Sequence, residues 1–137
     1  MKLSSKAIEL INTHELTAEL MAREWSVYLP VYDDGIDLLA TQQDATSIRR
    51  IQLKSRWSID RKYVGRPIDI AFKDRGGWYL APHAEMVTAG EAEGYCRNDS
   101  WTGTKGIWNV ANMSQSLSER MKHFKLDRVL GPRLVSP

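Results

Sequence analysis

The stretch GIDLLATQQDATSIRRIQLKSR, residues 35–56, has two apolar segments that contain charged residues, with Asp37 in the first and Lys54 in the second. Residues 36–41 and 47–55 are short, contain apolar and β-branched residues, and are predicted to be β-strands. The polar residues between them predict a turn, so the two strands are expected to form a hairpin. This hairpin decides which charged side chains lie together.

A turn centred between Asp44 and Ala45 sets the register of the hairpin. Because side chains alternate across a strand, Asp37, Gln52 and Lys54 then share one face of the sheet. In this register Asp37 faces Gln52, Leu39 faces Arg50 and Thr41 faces Ile48. The opposite face carries the apolar residues Ile36, Leu38, Ala40, Ile51 and Leu53, which are expected to form part of the core.

The predicted polar face combines a carboxylate, a carboxamide and an ammonium group. The Asp37 carboxylate, the Gln52 amide oxygen and the backbone carbonyl of Leu53 are oxygen ligands that suit Mg²⁺, with Mn²⁺ as a substitute. Lys54 can stabilise negative charge on a phosphate. The alternative is a buried Asp–Lys pair that closes the hairpin, although removing both ions from water is costly.

The remaining pattern predicts one α+β domain over residues 1–137. A helix is expected over 4–25, capped by Ser4 or Ser5. Ile8 and Ile11 fall on one apolar side and Leu16 and Leu20 on the opposite side, so the helix is either covered on both sides or broken near Asn12. The other predicted elements are a strand at 26–31, strands at 67–72 and 78–82 joined by KDRGG, a short helix beginning at His83, a strand in GIWNVA and a C-terminal helix near 114–124. Residues 88–113 lack periodicity and predict irregular structure.

The composition restricts the class of protein. The chain is 42% hydrophobic and 26% charged, which predicts a folded globular domain. No long apolar run or secretory signal is evident, and Cys96 is the single cysteine, so we expect a cytoplasmic protein that neither contacts a membrane nor contains an intrachain disulfide. No glycine-rich phosphate loop or dinucleotide motif occurs, which argues against a nucleotide cofactor.

Positive charge is concentrated in residues 49–66. This segment has a net charge of +6 although the whole chain has +2, so the other residues sum to −4. A local basic excess favours a polyanion such as nucleic acid. The candidate phosphate contacts are Arg50, Ser55, Arg56, Arg61, Lys62 and Arg66. The alternative is a set of solvated charges that protect a strand edge from aggregation.

With these residues in view, GIDLLA…RIQLKSR and the following PIDIAF…WYLAP resemble the PD-(D/E)XK nuclease superfamily. The resemblance covers residues 15–87 and is closest to group I intron-type homing endonucleases and archaeal Holliday-junction resolvases. It implies a restriction-endonuclease-like core with a mixed, mainly antiparallel sheet flanked by helices. It also implies Mg²⁺-dependent cleavage of DNA, often by a homodimer. Asp37, Gln52 and Lys54 match the acid, the second ligand and the lysine of the motif.

Two positions differ from the family pattern. Gln52 stands where most members have Asp or Glu, which removes one negative charge. The glutamate that related nucleases place on the first helix is best matched by Glu15. The leading hypothesis is therefore a Mg²⁺-dependent DNA endonuclease. The alternatives are an inactive nuclease-like module that binds nucleic acid or a protein, and a structural or regulatory domain in which the basic charge has no catalytic role.

Overall fold

The computed structural model describes residues 2–32, 34–42, 44 and 46–134. The helices are α1 (Ser5–Met21), α2 (His83–Ala92), α3 (Asp99–Thr102), α4 (Gln115–Met121) and α5 (Leu126–Leu130). The strands are β1 (Trp25–Tyr28), β2 (Leu38–Gln42), β3 (Ile48–Leu53), β4 (Trp57–Asp60), β5 (Asp69–Asp74), β6 (Gly77–Pro82) and β7 (Ile107–Val110). Short 3₁₀ turns occur at Arg61–Tyr63, Tyr95–Arg97 and Lys122–Phe124.

Five strands form the main sheet in the order β1-β2-β3-β5-β6. Strands β3 and β5 are parallel, and the other neighbouring strands of this sheet are antiparallel. Strands β4 and β7 form a separate antiparallel pair. The predicted α+β class, with a mixed and mainly antiparallel sheet flanked by helices, is therefore confirmed.

The β2–β3 hairpin has the predicted register. Leu39 pairs with Arg50 and Thr41 pairs with Ile48. Leu38, Ala40 and Ile51 are completely buried, as expected of the apolar face, and Leu53 is half-buried against the same core. Of the predicted turn, Asp44 accepts hydrogen bonds from Thr46, whereas Ala45 lies outside the described residues.

Helix α1 begins as predicted, with the Ser4 hydroxyl accepting a hydrogen bond from the amide of Ala7. The helix is unbroken at Asn12 and is not covered on both sides: Leu16 and Leu20 are fully buried, whereas Ile8 and Ile11 are exposed. The helix has apolar residues on two sides, so its own pattern does not select one. The sheet makes the selection, because β1 follows α1 closely and only the C-terminal half of the helix packs against it.

Two hydrophobic cores lie on opposite faces of the main sheet. One lies beneath α1 and includes Leu16, Leu20, Ile51 and Ala71. The other lies beneath the second sheet and α2 and α4, and it includes Trp57, Ile59, Ile70, Phe72, Met86 and Leu117. Strand β5 serves both cores, since consecutive side chains of a strand point to opposite faces.

The turn predicted at KDRGG is confirmed between β5 and β6. Arg75 and Gly76 are its two central residues, with φ of 49° and 81°. Two consecutive positive φ values are typical of the type I′ turn, whose twist matches that of a two-residue hairpin. The turn therefore aligns β6 along the whole length of β5.

Residues 88–113, expected to be irregular, contain much regular structure. They include the end of α2, a 3₁₀ turn, α3 and the predicted strand β7. Strand β4, which the sequence did not indicate, pairs with β7. The predicted C-terminal helix is α4, which begins where the Ser114 hydroxyl accepts from the Leu117 amide.

No helix in the described residues is both long enough and apolar enough to cross a membrane.

Truncation of a core leucine on α1 should test which of its two apolar sides is buried. We expect Leu20→Ala to lower the free energy of unfolding by about 2–5 kcal/mol, because it leaves a cavity beneath the sheet. The neighbouring Met21→Ala, which changes an exposed residue, should alter it by less than about 0.5 kcal/mol. Urea denaturation measures both values, and equal losses would contradict the assigned packing.

Candidate active site

Asp37 lies where β2 begins, next to a local irregularity of the hairpin. Leu38 pairs with Ile51, and the amide of Asp37 also donates to the Ile51 carbonyl at 2.8 Å. Two consecutive residues therefore face one residue of β3, as in a β-bulge. Bulges redirect side chains, and here the Asp37 carboxylate is directed along β3 toward its C-terminal end.

The Asp37 carboxylate is held by the backbone of β3. The amide of Leu53 donates to Asp37 Oδ2 at 2.7 Å. Leu53 lies between Gln52 and Lys54 in the chain, so this hydrogen bond places the carboxylate beside both. Asp37, Gln52 and Lys54, which were predicted to converge, thus meet at the C-terminal end of β3. The predicted register did not include the bulge at Asp37.

Gln52 has a buried oxygen atom without a partner. Its Oε1 is inaccessible to solvent and accepts no hydrogen bond from any described residue. Gln52 pairs with Ile70 in the parallel ladder, so it lies on the sheet face opposite to α1. Buried polar atoms are nearly always satisfied, and leaving one unpaired costs about 1–3 kcal/mol. The unpaired Gln52 oxygen can therefore accept a hydrogen bond or a cation from a ligand.

Lys54 follows β3 and is anchored by its own amide, which donates to the Ala71 carbonyl at 2.9 Å. Its side chain is half-buried, with Nζ 6.0 Å from the centre of the Tyr63 ring. Lys62 and Arg66 lie 5.1 and 6.0 Å from the same ring. The negative face of an aromatic ring attracts cations at these distances, so Tyr63 helps to hold Lys54 in place.

Tyr63 is itself buried and packs against the segment that leads into Asp37. Gly35 has a φ of +81°, and a Cβ atom there would lie 3.0 Å from Tyr63 Cε1. Arg66 donates to the Asp34 carbonyl at 2.8 Å. Burial raises the pKa of Tyr63 above its ordinary value of 10.0, opposed by Lys62, while Asp60 and Asp37 raise it further. The phenol therefore stays neutral next to the site.

Asp60 and His83 are buried residues joined by a hydrogen bond, and His83 contacts Tyr63. The amide of Asp60 donates to His83 Nε2 at 3.1 Å, and the His83 ring packs edge-on against Tyr63. Burial lowers the pKa of His83 below its ordinary value of 6.5; Asp60 opposes this effect and Lys54 adds to it. Nothing in the sequence indicated that Asp60 and His83 lie next to the site, although His83 stands at the predicted start of α2. Tyr63 was indicated only as an aromatic residue among the basic residues of segment 56–66.

Glu15 is not brought to this group. It lies on α1 and forms an ion pair with Lys73 on β5, with Glu15 Oε2 2.7 Å from Lys73 Nζ. Lys73 shares its sheet face with Ala71, which packs beneath α1. Gln52 lies on the other face. The structure thus separates Glu15 from the side chains of Gln52 and Lys54.

The predicted phosphate contacts divide into paired and unpaired cations. Lys62 lies 3.7 Å from Asp60, and Arg66 lies 3.6 Å from Asp34. Arg61 donates to the Gly103 carbonyl and supports the loop before β7. Within the described residues, Arg50 and Arg56 are exposed and form no ion pair, and Ser55 is exposed beside them. Arg50 and Arg56 thus retain unopposed positive charge.

The described residues contain no cluster of three or more His, Cys, Asp or Glu side chains able to hold a metal ion. Asp33, which lies near Asp37 in the chain, is outside the described residues. Any cation site here would combine one carboxylate with amide and carbonyl oxygens. That is the set which the sequence predicted: Asp37, Gln52 and the backbone of Leu53.

No family model matches the chain, and no curated protein matches it. Among solved structures, the Holliday junction resolvase Hjc from Archaeoglobus fulgidus is similar with a TM-score of 0.44 and 15% identity, over 56% of this chain and 73% of the resolvase.

The depressed pKa of His83 predicts a loss of stability in mild acid. The unfolded chain takes up a proton that the folded protein resists, so stability should fall as pH drops from about 7.5 to 5.5. His83→Gln keeps an acceptor for the Asp60 amide and should flatten this dependence. Thermal melting over that range measures it, with His14→Gln on the exposed side of α1 as the control. Parallel curves for the wild type and His83→Gln would contradict it.

The unpaired oxygen of Gln52 predicts an unusual response to an apolar substitution. In metal-free buffer, Gln52→Leu should leave the free energy of unfolding unchanged or raise it by about 1 kcal/mol, because a buried unsatisfied acceptor is removed. Gln42→Leu, at the exposed end of β2, is the matched control. A clear loss of stability on urea denaturation of Gln52→Leu would show that the oxygen is satisfied in solution.

Proposed function

We propose that this chain is a divalent-metal-dependent endonuclease that hydrolyses phosphodiester bonds of DNA, with Asp37, Gln52 and Lys54 as its active site. One observation carries the proposal. The buried Gln52 Oε1 has no partner among the described residues, and the adjacent Leu53 amide holds the Asp37 carboxylate. A cation bound at this point would satisfy the oxygen that the protein leaves unpaired.

The oxygen atoms at this point suit a hard cation. The candidates are the Asp37 carboxylate, Gln52 Oε1 and the backbone carbonyl of Leu53. The amide and carbonyl of one strand residue point toward the same neighbouring strand. The Leu53 carbonyl is therefore on the side of Asp37, because its amide donates there. Mg²⁺ or Mn²⁺ would supply Lewis-acid stabilisation of charge on a phosphate.

Lys54 has the position and charge to act on the same phosphate. Among the described residues it forms no ion pair, so its charge is not already neutralised. Its backbone is fixed by the Ala71 carbonyl and its ammonium group by the Tyr63 ring. A cation held in advance stabilises negative charge that develops during hydrolysis without first reorganising.

The exposed cations near Lys54 supply a path for the nucleic-acid backbone. Arg50 is on the same face of β3 as Gln52, and Arg56 follows Lys54 in the chain. Arginine side chains without acidic partners are suited to phosphate oxygens. Binding that depends on such contacts should weaken steeply with added salt. The family resemblance adds the prediction of a homodimer, which sedimentation would check.

Removal of the Lys54 ammonium should strongly slow cleavage while leaving the fold intact. We expect Lys54→Ala to lower the rate of DNA cleavage about 10²–10³-fold, the typical cost of losing one group that stabilises the transition state. The assay uses plasmid, branched and single-stranded DNA with Mg²⁺, Mn²⁺ or a chelator. Lys6→Ala, an exposed lysine on α1, is the matched control and should be fully active.

Three outcomes would overturn the proposal. Salt-sensitive DNA binding without cleavage under either cation would favour the inactive binding module. Equal activity of Lys54→Ala and Lys6→Ala would show that another site performs the cleavage. Chelator-resistant cleavage would contradict the metal requirement.

A further inference from the structure

Strand β7 belongs to a segment without any recognisable motif, yet it helps to form a groove that begins at Lys54. The groove has a volume of about 450 Å³ and is lined by Lys54, Ser55, Arg56, Ser58, Ile107 and Asn109. The first three residues follow β3, and the last two lie on β7. The end of the candidate active site therefore opens onto the second sheet.

The register of the second sheet determines which residues of β7 face this groove. Ser58 pairs with Asn109, and directly opposed residues of an antiparallel pair share one face. The neighbouring residues of β4, Trp57 and Ile59, are fully buried in the core on the other face, where Trp108 packs partly against them. Asn109 is therefore directed to the groove by the burial of its neighbours.

The amide group of Asn109 is oriented by a hydrogen bond within the sheet. The buried Ser58 hydroxyl donates to Asn109 Oδ1. Because the oxygen is engaged by Ser58, the side-chain NH₂ group of this exposed residue is left to donate into the groove. A donor next to the exposed Arg56 guanidinium suits an acceptor-rich, negatively charged ligand. Phosphate oxygens and the acceptor edges of bases both meet this description.

We propose that β7 forms a subsite for the nucleotide next to the phosphate held at Lys54. Asn109 donates a hydrogen bond to that nucleotide, and Arg56 neutralises its phosphate. The proposal rests on the proposed function for the identity of the ligand, but it concerns binding alone. It assigns Asn109 a role in positioning nucleic acid and gives the second sheet a function beyond covering the core.

A change of Asn109 to aspartate tests this subsite with little change in shape. The introduced carboxylate would keep an acceptor for Ser58 but would replace the NH₂ donor with negative charge. Asn109→Asp should therefore weaken binding of a short fluorescein-labelled oligonucleotide about tenfold or more, as measured by fluorescence anisotropy at low salt. Asn109→Ala, which adds no charge, should weaken it by a smaller factor.

Asn112→Asp is the matched control because it makes the same charge change at an exposed residue of the following bend, outside the groove lining. It should change affinity less than twofold, and thermal melting should show that all variants are folded. Equal weakening by Asn109→Asp and Asn112→Asp would overturn the subsite, as would failure of the wild type to bind any oligonucleotide.

The binding assay separates this proposal from the nuclease proposal. If the wild type cleaves DNA but the two aspartate variants bind equally well, the subsite is wrong and the nuclease function stands. If the wild type binds without cleaving and only Asn109→Asp loses affinity, the subsite stands and the nuclease function is wrong.

Discussion

The hydrogen bond from the Leu53 amide to the Asp37 carboxylate is the interaction on which the site depends. It joins the start of β2 to the end of β3, and its donor and acceptor atoms are 2.7 Å apart. Because the donor is a backbone amide, its position is set by the sheet itself. The carboxylate is consequently held at the backbone of Leu53, between Gln52 and Lys54 in the chain, and the proposed site would not have to reorganise this carboxylate to bind a ligand.

A second constraint comes from the turn that follows β4. Tyr63 packs against Gly35, while the cations Lys54, Lys62 and Arg66 surround its ring. Gly35 permits this close approach because it has no Cβ atom, and its positive φ is a second reason for glycine at this position. The segment leading into Asp37 is thus held from one side by β3 and from the other by an aromatic side chain, so both the acid and the lysine have restricted freedom.

The β2–β3 register could be predicted because it depends on two neighbouring strands and one turn, and this register brings Asp37 to the end of β3 that carries Gln52 and Lys54. The buried side of α1 could not, since two apolar stripes compete and the sheet alone selects Leu16 and Leu20. Pairing of β4 with β7 joins residues about fifty positions apart, and no pattern within either strand indicates its partner. The same applies to Tyr63 and His83, whose position beside Lys54 results from tertiary packing.

Strand β5 places consecutive side chains in two separate cores, with Ala71 on one face and Ile70 and Phe72 on the other. Because both cores pack against β5, displacing this strand to expose one core also exposes the other. The layers above and below the sheet should therefore not melt one after the other, and denaturation should be a single cooperative transition. A destabilising substitution in the α1 layer would then unfold the whole domain in a larger fraction of molecules. Trp57 and Tyr63, in the opposite core, would report this as a smaller folded population and not as a local distortion.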